Sequence, residues 1–493
     1  MAETAGASQA GTTETTEAPG LLDQLIAAAR PDDMIARART KDAITQFLDN
    51  VVKPDQVISK DVESSIKLWI SEIDKSLSAQ LNEIMHDADF QKLESTWRGL
   101  SYLVSQTETG ESLKIRVLNI TKKELGKDLE KAVEFDQSQL FKKIYEEEYG
   151  TLGGQPYGMM MGDYEFGRSA EDVSMLEKLS GVAAAAHAPF VAGVSPKMLG
   201  MDGFTELSNP RDLTKIFETP DYAQWKSFRE SADSRYIALA MPRVLSRLPY
   251  GEKFKPIDAF KYEEGVDGTN HNHYAWMNAA WTYAARCTDA FAKDGWFART
   301  RGVEGGGKVE GLPVHTFTTD DGGMAMKCPT EIAITDRREF ELSNLGFLPL
   351  VHCKGKDFAA YLGTQTCQKA KTYFDAAATA NADLSTKLNF MLITSRFAHY
   401  LKVMARDKIG SFMEVKDCGQ WLNAWIKNYV ISNPETAGDK LKAEKPLADA
   451  SVEVQAVAGK PGYYEAVAYL RPHFQLEALS TSMRLVAEVP KKK

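Results

Sequence analysis

PYGMMMGDYEF, residues 156–166, predicts a β-strand bounded by glycines. SAEDVSMLEKLSGVAAAAH at 169–187 predicts a helix, and FVAGVS at 190–195 predicts a second strand. Two strands joined by a helix form the unit that connects neighbouring parallel strands. This stretch therefore predicts an α/β domain with a partly parallel sheet.

The alternation of strands and helices continues along the chain. Thr121 and Glu124 form a capping box at the start of another helix. The apolar patterns predict strands at 113–120, 236–242, 331–336 and 347–353, helices at 273–293, 384–410 and 418–431, and strands alone at 450–459, 463–472 and 474–489. We therefore expect an α/β core at 111–445 followed by C-terminal strands at 446–493.

The N-terminal residues 1–19 are rich in Ala, Thr, Glu and Gly, so we expect a disordered leader. The next stretch, LLDQLIAAAR, predicts a short amphipathic helix that Pro31 ends. Its apolar face is formed by Leu21, Leu22, Leu25 and Ile26. Such a helix either packs on its own domain or serves as a ligand for another protein.

Two longer helices follow, so residues 20–110 are predicted to be a helical region. The first has a near-heptad apolar stripe, which suits a partner helix; the stripe consists of Val62, Ile66, Trp69, Ile73, Leu77, Leu81 and Ile84. The second has one apolar face, formed by Leu93, Trp97, Leu100 and Val104. Most such stripes pack within their own chain, so the pattern alone favours intramolecular packing.

Composition narrows the function classes. At 493 residues the chain is long enough for two or three domains, and a net charge of −9 argues against nucleic acid as the main partner. Its five cysteines form no C-x-x-C pair, which fits a reducing compartment. No apolar run approaches membrane-spanning length, and the N-terminus lacks the features of a secretory signal. We expect a cytoplasmic protein without direct membrane insertion.

Two short motifs resemble enzyme sites. HNHY at 271–274 contains two histidines, but a closed zinc site needs four ligands, so we interpret it as a loop that leads into a helix. GVEGGGKV at 302–309 resembles a phosphate-binding loop, yet Val309 replaces the magnesium-binding hydroxyl. Pro313 also prevents the helix that such a loop must open. A glycine-rich turn between two strands is the better interpretation.

A third motif, TDRREFEL at 335–342, places carboxylates after a predicted strand, where catalytic groups can lie. The adjacent arginines favour ion pairs at a helix start instead. The sequence also lacks the G-x-S-x-G, H-E-x-x-H and dinucleotide-binding motifs. We therefore predict no enzyme, no metal site and no cofactor.

The chain ends in a period-2 pattern typical of a strand with one buried face. Met483, Leu485, Ala487 and Val489 point one way, while Arg484 and Glu488 point mostly the other way. An unpaired terminal strand invites pairing with another chain. The pattern does not indicate which sheet the strand joins.

Long blocks of the sequence, in order, resemble one family, the large subunit of the contractile sheath in type VI secretion systems (the TssC/VipB family). The blocks include LESTWRGLSYLV, GVSPKMLGMDGFTELSNPRDL, FRESADSRYIALAMPRVLSRLPYG, PTEIAITDRREFELSNLGFLPLVHCK and LRPHFQLEALSTSMRLV. The resemblance implies a phage-tail-sheath-like mixed α/β fold with an added N-terminal helical domain and C-terminal strands. A phage-tail-like sheath outside secretion, and less favourably a nuclease or nucleotide hydrolase, remain as alternatives.

The resemblance also implies partners. Members pair with a small sheath subunit (TssB/VipA-like), and the heterodimers stack on neighbouring heterodimers into a helical tube. This tube is built from a baseplate around inner-tube hexamers (Hcp-like). Contraction propels the inner tube, and an AAA+ unfoldase (ClpV-like) then recycles the sheath.

Three sites follow from the resemblance. The unfoldase is expected to bind the N-terminal helix at Leu21, Leu22, Leu25 and Ile26. The small subunit is expected to pack on Val62, Ile66, Trp69, Ile73 and Leu77. The inter-subunit strand is expected at Met483, Arg484, Leu485, Val486, Ala487, Glu488 and Val489.

Overall fold

The computed structural model describes residues 34–51, 62–268, 270–408, 414–456, 464–473 and 475. These residues form two compact units. The first unit takes the described residues up to His86 together with Pro249–Gly265, and the second takes Asp87–Leu248 and the described residues from Val266 onward.

A six-stranded sheet forms the centre of the second unit. Its strand order is β1-β2-β3-β9-β10-β6, in which the first four strands are parallel and the last two pairings are antiparallel. The six strands are β1 (Met160–Phe166), β2 (Phe190–Val194), β3 (Ile237–Met241), β6 (Lys308–Val309), β9 (Leu348–His352) and β10 (Ala359–Tyr361). The predicted β-α-β unit and the partly parallel sheet are thus confirmed.

The helices of the first unit are α1 (Met34–Val51) and α2 (Val62–Met85). Those of the second unit begin with α3 (Ala88–Ser105), α4 (Lys122–Lys131), α5 (Gln139–Phe141, continued as a π-helix over Lys142–Tyr149), α6 (Ala170–Ala186), α7 (Leu213–Phe217) and α8 (Ala223–Glu230). They continue with α9 (Ala279–Asp294), α10 (Asp336–Asn344), α11 (Ala376–Leu384), α12 (Leu388–Asp407), α13 (Val415–Ile426) and α14 (Asp439–Glu444). The predicted capping box at Thr121 and Glu124 starts α4.

Hydrophobic cores lie on both faces of the sheet. Alternate residues of β2 and β3 point to opposite faces: Phe190 and Ile237 join the core that contains α6, while Val191 and Ala238 join the core that contains α9. The strands are buried on both faces, which explains why they read as continuous apolar runs. The result is a sheet covered by helices on each side.

One close approach fixes the start of α9 against the sheet. Asn278 caps α9 through its side chain, which accepts a hydrogen bond from the Ala280 amide, and its Nδ2 donates to the Tyr164 carbonyl oxygen at 3.1 Å. A Cβ atom at Gly193 would lie 2.6 Å from the Asn278 side chain, so only glycine fits there.

Three two-stranded sheets complete the described part of the fold. β4 (Val244–Leu245) pairs with β5 (Trp276–Met277), and β7 (Thr316–Thr318) pairs with β8 (Met324–Met326). β11 (Leu447–Ala456) and β12 (Tyr464–Pro472) form a longer antiparallel hairpin. The hairpin, α12 and α13 surround a third core built on Phe397, Leu422 and Val452.

Two predicted strands are wrong. Residues 113–120 are in neither a helix nor a strand. Residues 331–336 form no strand either, because Glu331 turns inward to contact Arg243 and His271, and α10 begins at Asp336. Periodicity cannot show whether a partner strand exists, and neither segment has one among the described residues.

Candidate assembly surfaces

Part of the apolar stripe predicted on α2 is buried and part of it is exposed. Trp69 is only 2% exposed, so the chain itself covers this ring. Ile66 and Ile73 are half-buried and Leu77 is exposed, while nothing is described of the side chain of Val62. The pairing of this stripe with the small subunit stays a prediction, but Trp69 is not available to it on the surface.

The apolar surface that α2 leaves open is a seam with heptad spacing. We define the α2 seam as Ile66, Ile70, Ile73, Leu77 and Ile84, whose successive spacings of four, three, four and seven residues match the a and d positions of a coiled coil. Ile70 and Ile84 are about half exposed. The seam is a surface that a partner helix fits.

A loop of the same unit anchors the C-terminal end of α2. The Tyr262 hydroxyl donates to Asn82 Oδ1 at 2.7 Å, and the Asn82 amide donates to the Glu263 carbonyl oxygen at 3.3 Å. Glu264 is almost completely buried, lies 3.5 Å from His86 Nε2, and accepts a hydrogen bond from the Tyr250 amide. These polar contacts tie residues 249–265 to α2, although they are far apart in sequence.

The helix α3 presents a second apolar surface. We define the α3 face as Leu93, Trp97 and Val104, all of which are exposed; Trp97 is 65% exposed. The sequence pattern favoured intramolecular packing for this stripe, but the structure leaves most of it open. The neighbouring exposed positions Ser101 and Ser105 are uncharged.

Polar contacts also fix α3. Glu94, whose side chain is 9% exposed, accepts hydrogen bonds from Arg247 Nε at 2.6 Å and from Arg98 Nε at 2.8 Å. Burial raises the pKa of Glu94, but the hydrogen bonds and charges of the two arginines outweigh it and hold the pKa below its usual value. Thr96 Oγ1 also donates to Asp163 of β1 at 2.5 Å. These contacts place α3 in the second unit rather than with α1 and α2.

The hairpin β11–β12 offers a third surface, an open strand edge. Nine residue pairs hold the two strands in register, and α13 packs against β11. Within the described residues β12 pairs only with β11, and Tyr469 on β12 is exposed. A two-stranded sheet is only marginally stable alone, so its free edge suits additional strands.

The motifs that resemble enzyme sites form ordinary structural contacts. His271 lies 3.1 Å from Glu331 and stacks on Trp276, whereas His273 contacts Asn270. The two histidines thus have separate partners. In the part of the chain that the structure describes, no group of three metal-ligating side chains comes together.

The glycine-rich motif is a turn that leads into β6, as predicted, but the element before it is the helix α9 and not a second strand. Gly306 has a φ of +88°, and a Cβ atom there would lie 2.3 Å from the Arg299 carbonyl oxygen. Lys308 lies in β6, pairs with Glu310 and sits 4.4 Å above the Phe358 ring. A strand follows the glycines, so the motif cannot direct a helix N-terminus toward a phosphate.

The motif at 335–342 forms the start of α10. Arg338 pairs with Glu341 at 2.7 Å and donates to the Arg211 carbonyl oxygen. Glu341 Oε1 accepts a hydrogen bond from the Leu213 amide at the start of α7. The predicted ion pairs at a helix start are confirmed, and they join two helices.

Two predicted sites lie outside the described residues. These are the N-terminal helix residues Leu21, Leu22, Leu25 and Ile26, and the terminal strand Met483–Val489. Among the described residues no helix is both long and apolar enough to cross a bilayer.

Sequence reasoning missed Ile70 of the α2 seam and the exposure of the α3 face. Ile70 lies off the predicted stripe, and the exposure of Trp97 contradicts the packing that the pattern favoured. The absence of charge around the α3 face was the available signal, because solvated helix faces usually carry charged residues.

Two family models match most of the chain. The model VipB (EvpB/VC_A0108, tail sheath N-terminal domain) matches residues 67–368, and VipB_2 (EvpB/VC_A0108, tail sheath gpW/gp25-like domain) matches residues 377–489. The type VI secretion system sheath protein TssC1 of Pseudomonas aeruginosa is 52% identical over 485 residues, which cover 98% of this chain and 97% of that protein.

A solved structure gives a more distant likeness. A chain from the cryo-electron microscopy structure of the anti-feeding prophage baseplate has 11% identity and a TM-score of 0.34, over 64% of this chain and 66% of that one. That similarity is too low to support an argument about the fold. With both sheath models matched and a sheath protein more than half identical over nearly its whole length, the chain belongs to the family of type VI secretion contractile sheath large subunits.

Proposed function

We propose that this protein is a structural, non-catalytic subunit of a contractile sheath, which pairs with a small sheath subunit and polymerises into a helical tube. The observation that carries the proposal is a set of surfaces on a chain of this family: the exposed apolar α2 seam and α3 face, and an edge of β12 that no described strand pairs with. Surfaces of this kind mark protein–protein contacts.

The three surfaces are unlike one another, which suits a helical lattice. A non-closing helical assembly needs heterologous contacts, in which one patch fits a different patch on the neighbour. The α2 seam fits a helix, and the edge of β12 fits a strand. We assign the α2 seam to the small subunit and the edge of β12 to neighbouring heterodimers.

The terminal strand Met483–Val489 supplies the link between neighbours. Its alternating apolar residues fit strand addition, in which main-chain hydrogen bonds give affinity and alternate side chains set the register. The link would persist during contraction, because a strand pair can move as a rigid body while other contacts change.

The helix that the sequence predicts around Leu21, Leu22, Leu25 and Ile26 is the proposed binding site for an AAA+ unfoldase that recycles the sheath. The apolar character of these four residues supports this role. The assembled tube surrounds an inner tube of hexamers and grows from a baseplate in the cytoplasm. The net charge of −9 speaks against a nucleic-acid partner.

Co-expression with the small sheath subunit tests the function. Electron microscopy of the purified product should show hollow tubes, with both chains present in equal amounts. The matched control is the same protein expressed without the small subunit, which should give no tubes. Soluble heterodimers that never polymerise under assembly conditions would contradict the proposal.

A further inference from the structure

The contacts of the β11–β12 hairpin continue beyond its last pair, Leu447 and Pro472. The His473 amide donates to the Pro446 carbonyl oxygen at 3.1 Å, which adds one hydrogen bond at the end of the hairpin. His473 Nε2 donates to the Lys445 carbonyl oxygen at 3.0 Å, and the side chain is 9% exposed. His473 therefore ties the end of the hairpin to the residues that precede β11.

Gln475 makes the next contacts, and they lie in a different part of the second unit. Its Nε2 atom donates to the Ala298 carbonyl oxygen at 2.9 Å, and its Oε1 atom accepts from Asn389 Nδ2 at 3.2 Å. Ala298 follows α9 and Asn389 lies in the first turn of α12, so one amide group joins three segments that are far apart in sequence. Because a carbonyl oxygen can only accept, the Ala298 contact also determines which end of the Gln475 amide faces each partner.

The groups that hold Gln475 are themselves buried. Asn389 is completely buried, and its Oδ1 atom accepts from Thr364 Oγ1 at 2.8 Å. Thr364 is also completely buried, and its carbonyl oxygen accepts from the Leu388 amide at the start of α12 at 2.6 Å. Ala298 lies in the third core. Gln475 is thus bound to a network whose buried polar groups would lose a partner without it.

These contacts hold the chain at the point where its last residues begin. We define the C-terminal clamp as His473 and Gln475, and the terminal segment as residues 476–493, which lie outside the described residues. Met483, the first residue of the proposed inter-subunit strand, is eight residues from Gln475. An extended chain spans about 3.4 Å per residue, so the inter-subunit strand begins within about 27 Å of the C-terminal clamp.

We propose that the C-terminal clamp positions the inter-subunit strand Met483–Val489 for pairing with the β12 edge of a neighbouring copy of this chain. This inference rests on the proposed function, which makes that strand the link between neighbours, and it adds the residues that hold the link in place. His473 and Gln475 are positioning residues, because they act by fixing where the terminal segment leaves the second unit.

A fixed starting point favours strand addition because it lowers the entropy cost of pairing. Ordering the backbone of a residue costs conformational entropy, whether the ordering takes place on folding or on binding. With the clamp closed, intramolecular hydrogen bonds already hold His473 and Gln475, so fewer residues are ordered at assembly. With the clamp open, the unattached chain would start at Pro472, three residues earlier, and this cost would oppose assembly.

The polar character of Gln475 separates positioning from packing. Gln475 is half-buried and contributes no apolar side chain to the third core, in contrast to Leu447 and Val452 of β11. Without Gln475 the hairpin keeps its nine residue pairs. Loss of this side chain should therefore release the terminal segment and leave the hairpin folded.

Two variants of Gln475 test the clamp in the purified heterodimer with the small subunit. Gln475→Ala should raise the critical concentration for tube assembly about tenfold, because roughly one more residue must then be ordered at assembly. Gln475→Glu keeps the shape of the side chain but places a carboxylate against the Ala298 carbonyl oxygen, so it should have the same effect. Heterodimer affinity should be unchanged in both variants.

Asn423→Ala is the matched control. Asn423 is a half-buried side-chain amide of the same core: its Nδ2 atom donates to the Gly419 carbonyl oxygen at 2.8 Å, and its Oδ1 atom accepts from the Val452 amide at 2.8 Å. It ties α13 to β11 but makes no contact with the clamp in the described structure. This variant should lower the melting temperature at least as much as Gln475→Ala and leave the critical concentration close to that of the wild type.

Hydrogen exchange tests the clamp before assembly. In the unassembled heterodimer the His473 amide should exchange at least about tenfold faster in Gln475→Ala than in the wild type, because the contact that holds the adjoining chain is gone. Amides in the middle of β12 should keep their wild-type rates, which shows that the hairpin is still folded.

Three results would overturn the inference. They are wild-type critical concentrations for both Gln475 variants, an equal increase for Asn423→Ala, and unchanged exchange of the His473 amide in Gln475→Ala. Failure of the proposed function gives a different result: the wild type forms no tubes, or the chain without residues 480–493 still forms them. In either case the link itself is absent, and the positioning role is refuted with it.

Discussion

Removal of the α2 seam should weaken the heterodimer without unfolding the chain. The variant replaces Ile70, Leu77 and Ile84 by alanine. These side chains are 51%, 44% and 55% exposed, so about half of each is available for burial against a partner. Full burial of such a side chain contributes about 1.5–3 kcal/mol, so the exposed halves contribute roughly 1 kcal/mol each.

The three losses together amount to about 3 kcal/mol, or roughly a 100-fold increase in Kd for the small subunit. Alanine has the highest helix propensity, so the helical circular dichroism signal of the variant should be unchanged. The assay is equilibrium binding of the full-length chain to the purified small subunit, read by biolayer interferometry.

The control for the seam variant uses the same helix. Lys67→Ala with Lys75→Ala removes two exposed ion pairs, to Glu63 and Glu72, that lie off the seam. Exposed pairs contribute about 0.5 kcal/mol or less, so the Kd should change by less than about threefold. A Kd within twofold of wild type for the seam variant would refute the assignment of this surface to the small subunit.

Three further variants test the anchor of α3 and the two terminal sites. Arg247→Met leaves the buried Glu94 carboxylate short of a partner and should lower the free energy of unfolding by about 2 kcal/mol at pH 7. Arg247 and Arg98 lower the pKa of Glu94 in the folded state, so the contribution of Glu94 to the free energy of unfolding is present above the ordinary pKa of 4.5 and is lost as the pH falls through the folded pKa. The difference in unfolding free energy between variant and wild type, measured by urea titration, should therefore shrink in acid. A difference that does not depend on pH would contradict the charge argument. Deletion of residues 480–493 should preserve heterodimers but block tubes in electron micrographs, and normal tubes would exclude the linking role. Leu22→Glu with Ile26→Glu should allow assembly and contraction yet abolish binding of the unfoldase in pull-downs. Unchanged affinity would mean that the unfoldase binds elsewhere on the chain.

Local patterns determined most of the α/β core. The runs around Phe190 and Ile237 are short, apolar and bounded by turns, and they became parallel strands because both faces of the sheet are buried. The capping box at Thr121 is a contact between residues three apart, so the sequence contains all of it. The family resemblance rests on the same kind of local information.

Contacts between residues that are distant in sequence decided which segments pair as strands and which side chains are buried. The apolar composition of residues 113–120 predicts a strand, but pairing needs a second strand with free main-chain groups, and local composition carries no information about such a partner. Likewise Trp69 and Trp97 occupy equivalent positions in two similar stripes. The fold buries Trp69 and leaves Trp97 exposed, because burial depends on which surfaces the tertiary structure brings together.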